Sequence, residues 1–237
     1  MNDVLGEFLG TMILIVLGGG VVAGALLNKS KAQNAGWMAI TTGWAFGVMA
    51  GVYTARAVGA PGFINPVGPL AGALTANLAP EKAFAYAAAE VAGAFAGAVI
   101  VWLHYLPHWK ETTDPAAKLG VFCTAPAIRN YPANLLSEAI ATFVLVFVGT
   151  AVVEKGLGGA LAAPLGGALV WGIGLSLGAT TGYAINPARD LGPRLAHALL
   201  PIAGKGTSDW PYAWVPIVGP LLGGAAGALL AKQVIVS

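Results

Sequence analysis

The sequence Gly182-Tyr183-Ala184-Ile185-Asn186-Pro187-Ala188-Arg189-Asp190 decides the fold of this 237-residue chain. Asn followed by Pro is a strong signal for a helix start, because Asn caps the first backbone N–H groups and Pro is favoured at the first helical position. A second such pair, Asn65-Pro66, lies in the first half of the chain and is followed by Val67. Both pairs interrupt long apolar stretches, so each predicts a short helix that begins after a break in the backbone.

The composition around these two pairs is typical of a membrane protein. Hydrophobic residues make up 57% of the chain, and Asp, Glu, Lys and Arg together only 9%, whereas a soluble domain has about 25% charged residues. This excludes a cytosolic enzyme, a disordered chain and, since the net charge is +2 without a basic cluster, a nucleic-acid-binding protein. One cysteine excludes a disulfide framework and a thiolate metal site, and the three histidines have no ligand spacing. We therefore expect no cofactor and no metal.

The gaps between charged residues indicate where the chain crosses the bilayer, because a spanning helix needs roughly 20 predominantly apolar residues. The apolar runs are continuous rather than alternating, which favours helices over strands. Six spans are predicted. In the first half they lie between Glu7 and Lys29, from near Trp37 to Arg56, and from near Ala83 to Lys110. In the second half they lie between Glu138 and Glu154, over about 161–182, and between Asp209 and Lys232.

Two uncharged stretches do not fit this count of spans. Residues 57–80 open with several glycines and prolines, and Pro breaks a helix because it lacks an N–H group and clashes with the preceding turn. After the Asn-Pro pair about a dozen helical residues remain, the length of a re-entrant segment rather than of a span. Residues 156–188 hold a span and then a break, after which a short, charged helix is predicted over about 187–199. Non-helical backbone at membrane depth is tolerated only inside protein or beside a water-filled cavity.

The two halves of the chain resemble each other. Gly-Glu-Phe-Leu-Gly-Thr at 6–11 parallels Ser-Glu-Ala-Ile-Ala-Thr at 137–142, and a Trp-x-x-Gly motif recurs at 44–47 and 171–174. With three spans and one half-helix in each half, the second copy enters the bilayer from the opposite side, so both half-helices reach one midplane site. We expect a single transmembrane domain over 1–237, with a first repeat over about 1–106, a polar linker over 107–133 and a second repeat over about 134–237.

The two half-helices favour a pathway for neutral solutes. Each helix N-terminus carries a positive dipole end of roughly half an elementary charge. The side-chain amides of Asn65 and Asn186 are able to donate hydrogen bonds into a lumen. Such a site accepts the oxygen of a neutral solute and opposes cations, including a travelling proton.

These features resemble the aquaporin (major intrinsic protein) superfamily over essentially the whole chain. Asn186-Pro187-Ala188-Arg189 matches the family signature in full, residues 89–95 are similar to its third span, and both Asp190-Leu191-Gly192-Pro193-Arg194 and Pro216-Ile217 resemble the glycerol-facilitator branch. The resemblance implies an all-α membrane fold of six transmembrane helices plus two re-entrant half-helices in an inverted repeat. It also implies a homotetramer in the plasma membrane, with both termini in the cytoplasm. Half-helix dipoles are the known device by which this family excludes protons and cations.

The resemblance further implies a selectivity filter on the outer side of the pore, formed by Trp44, Gly174, Tyr183 and Arg189. Arg189 would offer a fixed fork of donors to solute hydroxyls. Trp44 and Tyr183 would offer aromatic faces to a carbon skeleton, and Gly174 would leave room that a bulkier residue fills. One apolar wall and one donor wall fit a small polyol.

Other positions carried over from the family surround this filter. Asn65 and Asn186 are expected at the pore midplane, and Pro66, Val67, Pro187 and Ala188 in the two half-helix motifs. Val67 stands where the family usually has Ala, and its extra bulk is expected to widen or shift the midplane while Asn65 keeps its role.

Buried acids are expected to support the re-entrant loops. Glu7 and Glu138 occupy the positions of the family's paired acids, which accept hydrogen bonds from these loops, and Asp190 is placed with them. Glu90 stands where relatives often carry Gln, and an acid at that depth must be protonated or paired. Glu90 is either a neutral acid that mimics Gln or a pH-sensitive group of the pore.

The sequence thus predicts a passive channel for glycerol and other small uncharged solutes, with water, that excludes ions and protons and is not an enzyme. Two alternatives stay open. A mainly water-conducting aquaporin is disfavoured by Gly174 and Asp190, and a pathway for a weak organic acid is supported only by Glu90. Expected partners are the lipid bilayer, copies of the chain, and solutes among glycerol, water, lactic acid, dihydroxyacetone, urea and peroxide; nucleic acid is not a partner.

Overall fold

The computed structural model describes residues 2–154 and 159–236, and within these ranges all regular secondary structure is helical. Each half contributes one short helix that begins at or directly after the Pro of its Asn-Pro pair, as the sequence predicts. The helices are α1 (Asn2–Leu26), α2 (Gly36–Ala57), α3 (Val67–Leu74), α4 (Pro80–His104), α5 (Leu106–Glu111), α6 (Pro115–Phe122), α7 (Tyr131–Val152), α8 (Ala162–Leu177), α9 (Pro187–Leu199) and α10 (Val215–Val234), with a 3-10 turn at Trp210–Tyr212.

Six of these helices, α1, α2, α4, α7, α8 and α10, correspond to the six predicted spans. By length and hydropathy alone, four helical stretches among the described residues could each cross a bilayer: Asn2–Leu26, Pro80–His104, Tyr131–Val152 and Trp210–Val234. The other two are α2, which is long enough but less apolar, and α8, which is apolar but only 16 residues long. The chain is an integral membrane protein.

The packing follows the internal repeat. In the first half α1 packs against α2 and α4, and in the second half α7 packs against α8 and α10. The half-helices are exchanged between the halves, because α3 packs against α10 and α9 against α4. Close approach depends on small residues: a Cβ on Gly93 would overlap the carbonyl oxygen of Phe8, and a Cβ on Gly223 that of Ala139. Each half-helix therefore packs against the last long helix of the opposite repeat: α3 against α10, and α9 against α4.

The bounds of several elements differ from the prediction; α1 and α7, for example, begin before Glu7 and Glu138 rather than after them. The first half-helix, α3, has eight residues rather than about a dozen, because Ala76 turns to φ +64° and closes a Schellman motif with Asn77. Helix α8 ends at Leu177 rather than near 182, because the chain turns so that the Tyr183 ring folds back onto Gly178. The stretch expected as a linker, 107–133, contains most of α5, all of α6 and the start of α7.

Candidate functional site

A cavity of about 640 Å³ lies alongside the two half-helices. Its wall includes Trp44, Val48, Val52 and Arg56, which are spaced four residues apart on one face of α2. The cavity therefore follows α2 for about 18 Å, at a rise of 1.5 Å per residue. The rest of the wall includes parts of α3, α7, α8 and α10, the loops that precede α3 and α9, and single residues of α1 and α9, so both repeats contribute to this candidate solute pathway.

Asn65 and Asn186 lie on the cavity wall and tie the two repeats together. The amide of Asn65 donates to the carbonyl oxygen of Ile185 at 2.8 Å, and the amide of Asn186 donates to that of Ile64, also at 2.8 Å. Their Oδ1 atoms accept backbone N–H groups at the start of α3 and α9, at 3.0–3.1 Å. Because an amide NH₂ group has two protons, one proton of each Asn is not used in this crossed pairing.

Two buried acids hold the loops in front of the half-helices. Glu7 accepts three backbone N–H groups of the first loop, and Glu138 accepts two backbone N–H groups and one hydroxyl of the second. Ile64 and Ile185 have φ values of +48° and +43°, conformations that cost of order 1–3 kcal/mol each. Charge-assisted hydrogen bonds to the buried carboxylates offset this strain. The donors are Gly62, Phe63 and Ile64 to Glu7, and Thr181, Ala184 and Ile185 to Glu138.

The four residues expected in a filter lie close together. The guanidinium carbon of Arg189 lies 4.2 Å from the centre of the Trp44 ring, and its Nη1 donates to the carbonyl oxygen of Phe122 at 3.2 Å. The Tyr183 ring covers Gly174, where a Cβ would lie 2.8 Å from Cζ of the tyrosine. Trp44, Tyr183 and Arg189 line the cavity. The Arg189 guanidinium group is stacked on the Trp44 ring. The donor wall and the apolar wall expected from the sequence therefore lie side by side.

Asp190 supports the segment that follows α6 rather than a re-entrant loop. Its carboxylate accepts the backbone N–H and the hydroxyl of Thr124, both at 2.9 Å, and forms a fully buried ion pair with Arg194 at 2.7 Å. Arg194 in turn donates to the carbonyl oxygen of Thr124 at 3.2 Å. These bonds fix the chain next to Phe122, whose carbonyl group orients Arg189.

The remaining predicted positions lie next to the pathway. Val67 is buried and packs onto the bare backbone of Gly224 on α10, so its extra bulk is accommodated by α10. Pro187 opens α9, Pro66 directly precedes α3, and Ala188 is fully buried. Glu90 is fully buried beside Glu7 and the backbone of Asn65, and neither of its carboxyl oxygens has a hydrogen-bond partner.

Three contributors to the site were not predicted from the sequence. Phe122 and Thr124 act through backbone groups, which no side-chain motif reveals. Trp37 donates from Nε1 to the carbonyl oxygen of Gly174 at 3.0 Å. It precedes Trp44 by two helical turns, so the i, i+7 spacing on α2 could have placed both on one face.

The described residues contain no group of three or more His, Cys, Asp or Glu side chains that could hold a metal ion. Cys123, beside Phe122, is buried, and this burial raises the pKa of its thiol. A neutral thiol is a poor nucleophile and metal ligand.

Two half-helices that begin at the centre of a six-helix membrane bundle, beside a cavity lined by their capping residues, define a membrane channel. The chain belongs to the family described as Major intrinsic protein, which matches residues 1–231. This confirms the family and the fold class that the sequence motifs indicate.

Comparisons with individual proteins agree with this assignment. The chain is 58% identical to "Glycerol uptake facilitator protein 3" of Lactiplantibacillus plantarum, over 96% of this chain and 95% of the relative. It is 40% identical to the "D/L-lactic acid transporter" of the same organism, over 96% and 95% of the two chains. Its structure matches the X-ray structure of the aquaglyceroporin from Plasmodium falciparum with a TM-score of 0.85 and 25% identity, over 99% of this chain and 96% of the other.

Proposed function

We propose that this protein is a passive channel for glycerol, with water also passing. The observation that carries the proposal is the grouping of Trp44, Tyr183 and Arg189 at the cavity, with Gly174 beneath the Tyr183 ring, next to the crossed Asn65–Asn186 pair. The relative that is 58% identical is named a glycerol uptake facilitator, which supports the same solute. Flux follows the concentration gradient, and the proposal includes no catalysis, cofactor or nucleic acid.

Selectivity in this proposal comes from hydrogen bonding and charge. Glycerol hydroxyls accept hydrogen bonds from Arg189 and from the unused amide protons of Asn65 and Asn186, while the carbon skeleton passes along the aromatic edges of Trp44 and Tyr183. The N-termini of α3 and α9 both bring positive dipole ends to the Asn pair. Together with Arg189, these ends oppose the passage of cations and protons.

The test is a stopped-flow comparison of glycerol and water permeation in proteoliposomes. We expect glycerol permeation well above that of protein-free liposomes, and no accumulation of glycerol against its concentration gradient when a proton gradient is applied. Arg189→Leu removes the donor fork and is expected to lower the glycerol-to-water ratio about tenfold or more, because a site built to bind hydroxyls discriminates through its donors. Water permeation without glycerol permeation would contradict the proposal and favour a mainly water-conducting channel.

A second candidate function is passage of a weak organic acid. The relative named as a D/L-lactic acid transporter favours it, as does the buried Glu90 beside the pathway. Lactic acid in its neutral form presents a hydroxyl and a carboxyl group to the same donors that serve glycerol. Uptake of labelled lactic acid that rises as external pH falls would support this function. Dihydroxyacetone, urea and peroxide belong in the same uptake panel.

The assembly and orientation are also proposals. The chain forms one membrane domain over 1–237, with repeats over about 1–106 and 134–237 joined by the linker 107–133. Four copies assemble in the plasma membrane, each with its own pore and with both termini in the cytoplasm. Cross-linking in native membranes that stops at the dimer, or a terminal tag accessible from outside intact cells, would contradict these features.

A further inference from the structure

Trp37, in the first turn of α2, contacts two of the four grouped residues from outside the cavity. Its indole Nε1 donates to the carbonyl oxygen of Gly174 at 3.0 Å. Its ring stands nearly perpendicular to the Tyr183 ring, at 78° with centroids 5.7 Å apart, an edge-to-face geometry that aromatic pairs favour. Trp37 is not among the residues that line the cavity, whereas Tyr183, which it contacts, is.

Two features of α8 explain why the carbonyl group of Gly174 needs a hydrogen-bond donor from Trp37 and why the Tyr183 ring packs there. The helix ends at Leu177, and the carbonyl groups of a last turn lack intrahelical donors. The indole N–H supplies a donor for Gly174 in this turn. Beyond it, a Cβ on Gly178 would overlap the Tyr183 ring and lie 3.0 Å from the Trp37 ring. The two glycines and the indole thus enclose the tyrosine ring on the side away from the cavity.

Tyr183 has few other restraints. It lies in the non-helical segment before α9 with a φ of +38°, and its buried hydroxyl group has no hydrogen-bond partner. Packing, rather than a hydrogen bond of its own, therefore fixes the position of the ring. The Trp37 edge is the aromatic contact that the structure shows for it.

From this arrangement we infer that Trp37 is a positioning residue for solute selectivity: it sets how far the Tyr183 ring reaches into the pathway and thereby the largest polyol that passes. The inference rests on the proposed glycerol channel. Removing the indole opens space behind Tyr183, so the ring relaxes away from Trp44 and Arg189 and the constriction widens. Larger polyols gain more from this widening than glycerol does.

The experiment compares wild type, Trp37→Leu and Trp37→Phe in proteoliposomes matched for protein content, with glycerol and the four-carbon polyol erythritol as solutes. Trp37→Leu is expected to raise the erythritol-to-glycerol flux ratio about tenfold, the discrimination that about one methylene group provides in a fitted pocket. Trp37→Phe keeps part of the ring edge and loses the donor, so a smaller rise is expected. Trp171→Leu is the matched control, because Trp171 lies on α8 with Gly174 and is 39% exposed, against 38% for Trp37.

A double-variant comparison separates positioning from a general structural effect. In a Tyr183→Leu background, adding Trp37→Leu is expected to leave the ratio unchanged, because the ring that Trp37 positions is gone. A parallel fall of both fluxes, an unchanged ratio, or an equal change in Trp171→Leu would overturn the inference. If Trp37→Leu does not insert into the membrane, Trp37→Phe decides by the same criteria. Absence of glycerol flux in the wild type would instead contradict the proposed function.

Discussion

The hydroxyl group of Tyr183 is a buried polar group without a hydrogen-bond partner. Leaving such a group unsatisfied costs about 1–3 kcal/mol. Tyr183→Phe is therefore expected to raise the free energy of unfolding by about 1 kcal/mol and to leave the glycerol-to-water flux ratio unchanged. Thermal unfolding in detergent and stopped-flow flux measure the two effects, and a clear loss of glycerol selectivity would mean that solutes contact the hydroxyl.

Glu90 is a second residue whose surroundings lead to a prediction. It is fully buried beside Glu7, which already accepts three backbone N–H groups of the loop before α3. A second negative charge at this position would repel Glu7 and loosen that loop. We expect wild-type glycerol flux to fall as pH is raised, and flux of Glu90→Gln to stay constant.

The control for this pH profile is Glu81→Gln, which changes an exposed acid in the first turn of the same helix. It is expected to retain the wild-type profile. Superimposable profiles for wild type and Glu90→Gln would show that Glu90 is a neutral acid that takes the place of Gln.

At the scale of elements, the sequence predicts the bounds of one half-helix better than those of the other. Asn186-Pro187 and the charged residues that follow define α9 closely, and its observed bounds agree with the prediction. The end of α3 was not predicted, because the left-handed position of its Schellman motif is occupied by Ala76, whereas Gly is the usual residue there. The early end of α8 was missed for a tertiary reason, the packing of Tyr183 on Gly178. Local signals thus predict helix starts better than helix ends.

Both half-helices end next to a lysine, which yields a prediction for α9. The ammonium group of Lys205 donates to three carbonyl oxygens at the end of α9, at 2.7–2.8 Å, and Lys232 donates to the carbonyl oxygen of Thr75 after α3. A cation at a helix C-terminus stabilises it by up to about 2 kcal/mol. Lys205→Met is expected to lower the free energy of unfolding by about 1–2 kcal/mol. No change in solute selectivity is expected, because Arg189, which we propose to act in the filter, lies at the other end of α9.

Thermal unfolding of Lys205→Met is best compared with that of Lys31→Met, which removes an exposed lysine between α1 and α2. Equal stability losses in the two variants would contradict a specific role for Lys205. A loss of glycerol selectivity in Lys205→Met alone would show that the end of α9 also influences the filter.

At the scale of the whole molecule, the sparse charges separate a lipid-facing body from a polar interior. Glu7, Glu90, Glu138, Asp190 and Arg194 are all essentially inaccessible, and their scarcity is what the composition reveals first. The sequence predicted the six long helices, the two half-helices and which side chains group at the cavity; the roles of those side chains stay predictions. The crossed bonds from Asn65 to Ile185 and from Asn186 to Ile64 could not be predicted, because they depend on how the two repeats dock.

These crossed bonds place both positive half-helix ends and both amide donors at one point of the pathway. We therefore expect the exclusion of cations to depend on the two repeats together. In Asn65→Asp and Asn186→Asp, an ionised carboxylate loses the donor to the opposite loop and adds a negative charge that cancels the positive dipole ends. We expect each variant to conduct sodium or protons, the double variant more than either, and glycerol flux to fall. Ion flux in proteoliposomes with a pH-sensitive dye and with sodium gradients measures the leak. Asn77→Asp is the matched control, because Asn77 also lines the cavity but lies after the C-terminal end of α3, away from the N-termini of both half-helices; an equal leak in that variant would mean that any added acid in the pathway admits cations.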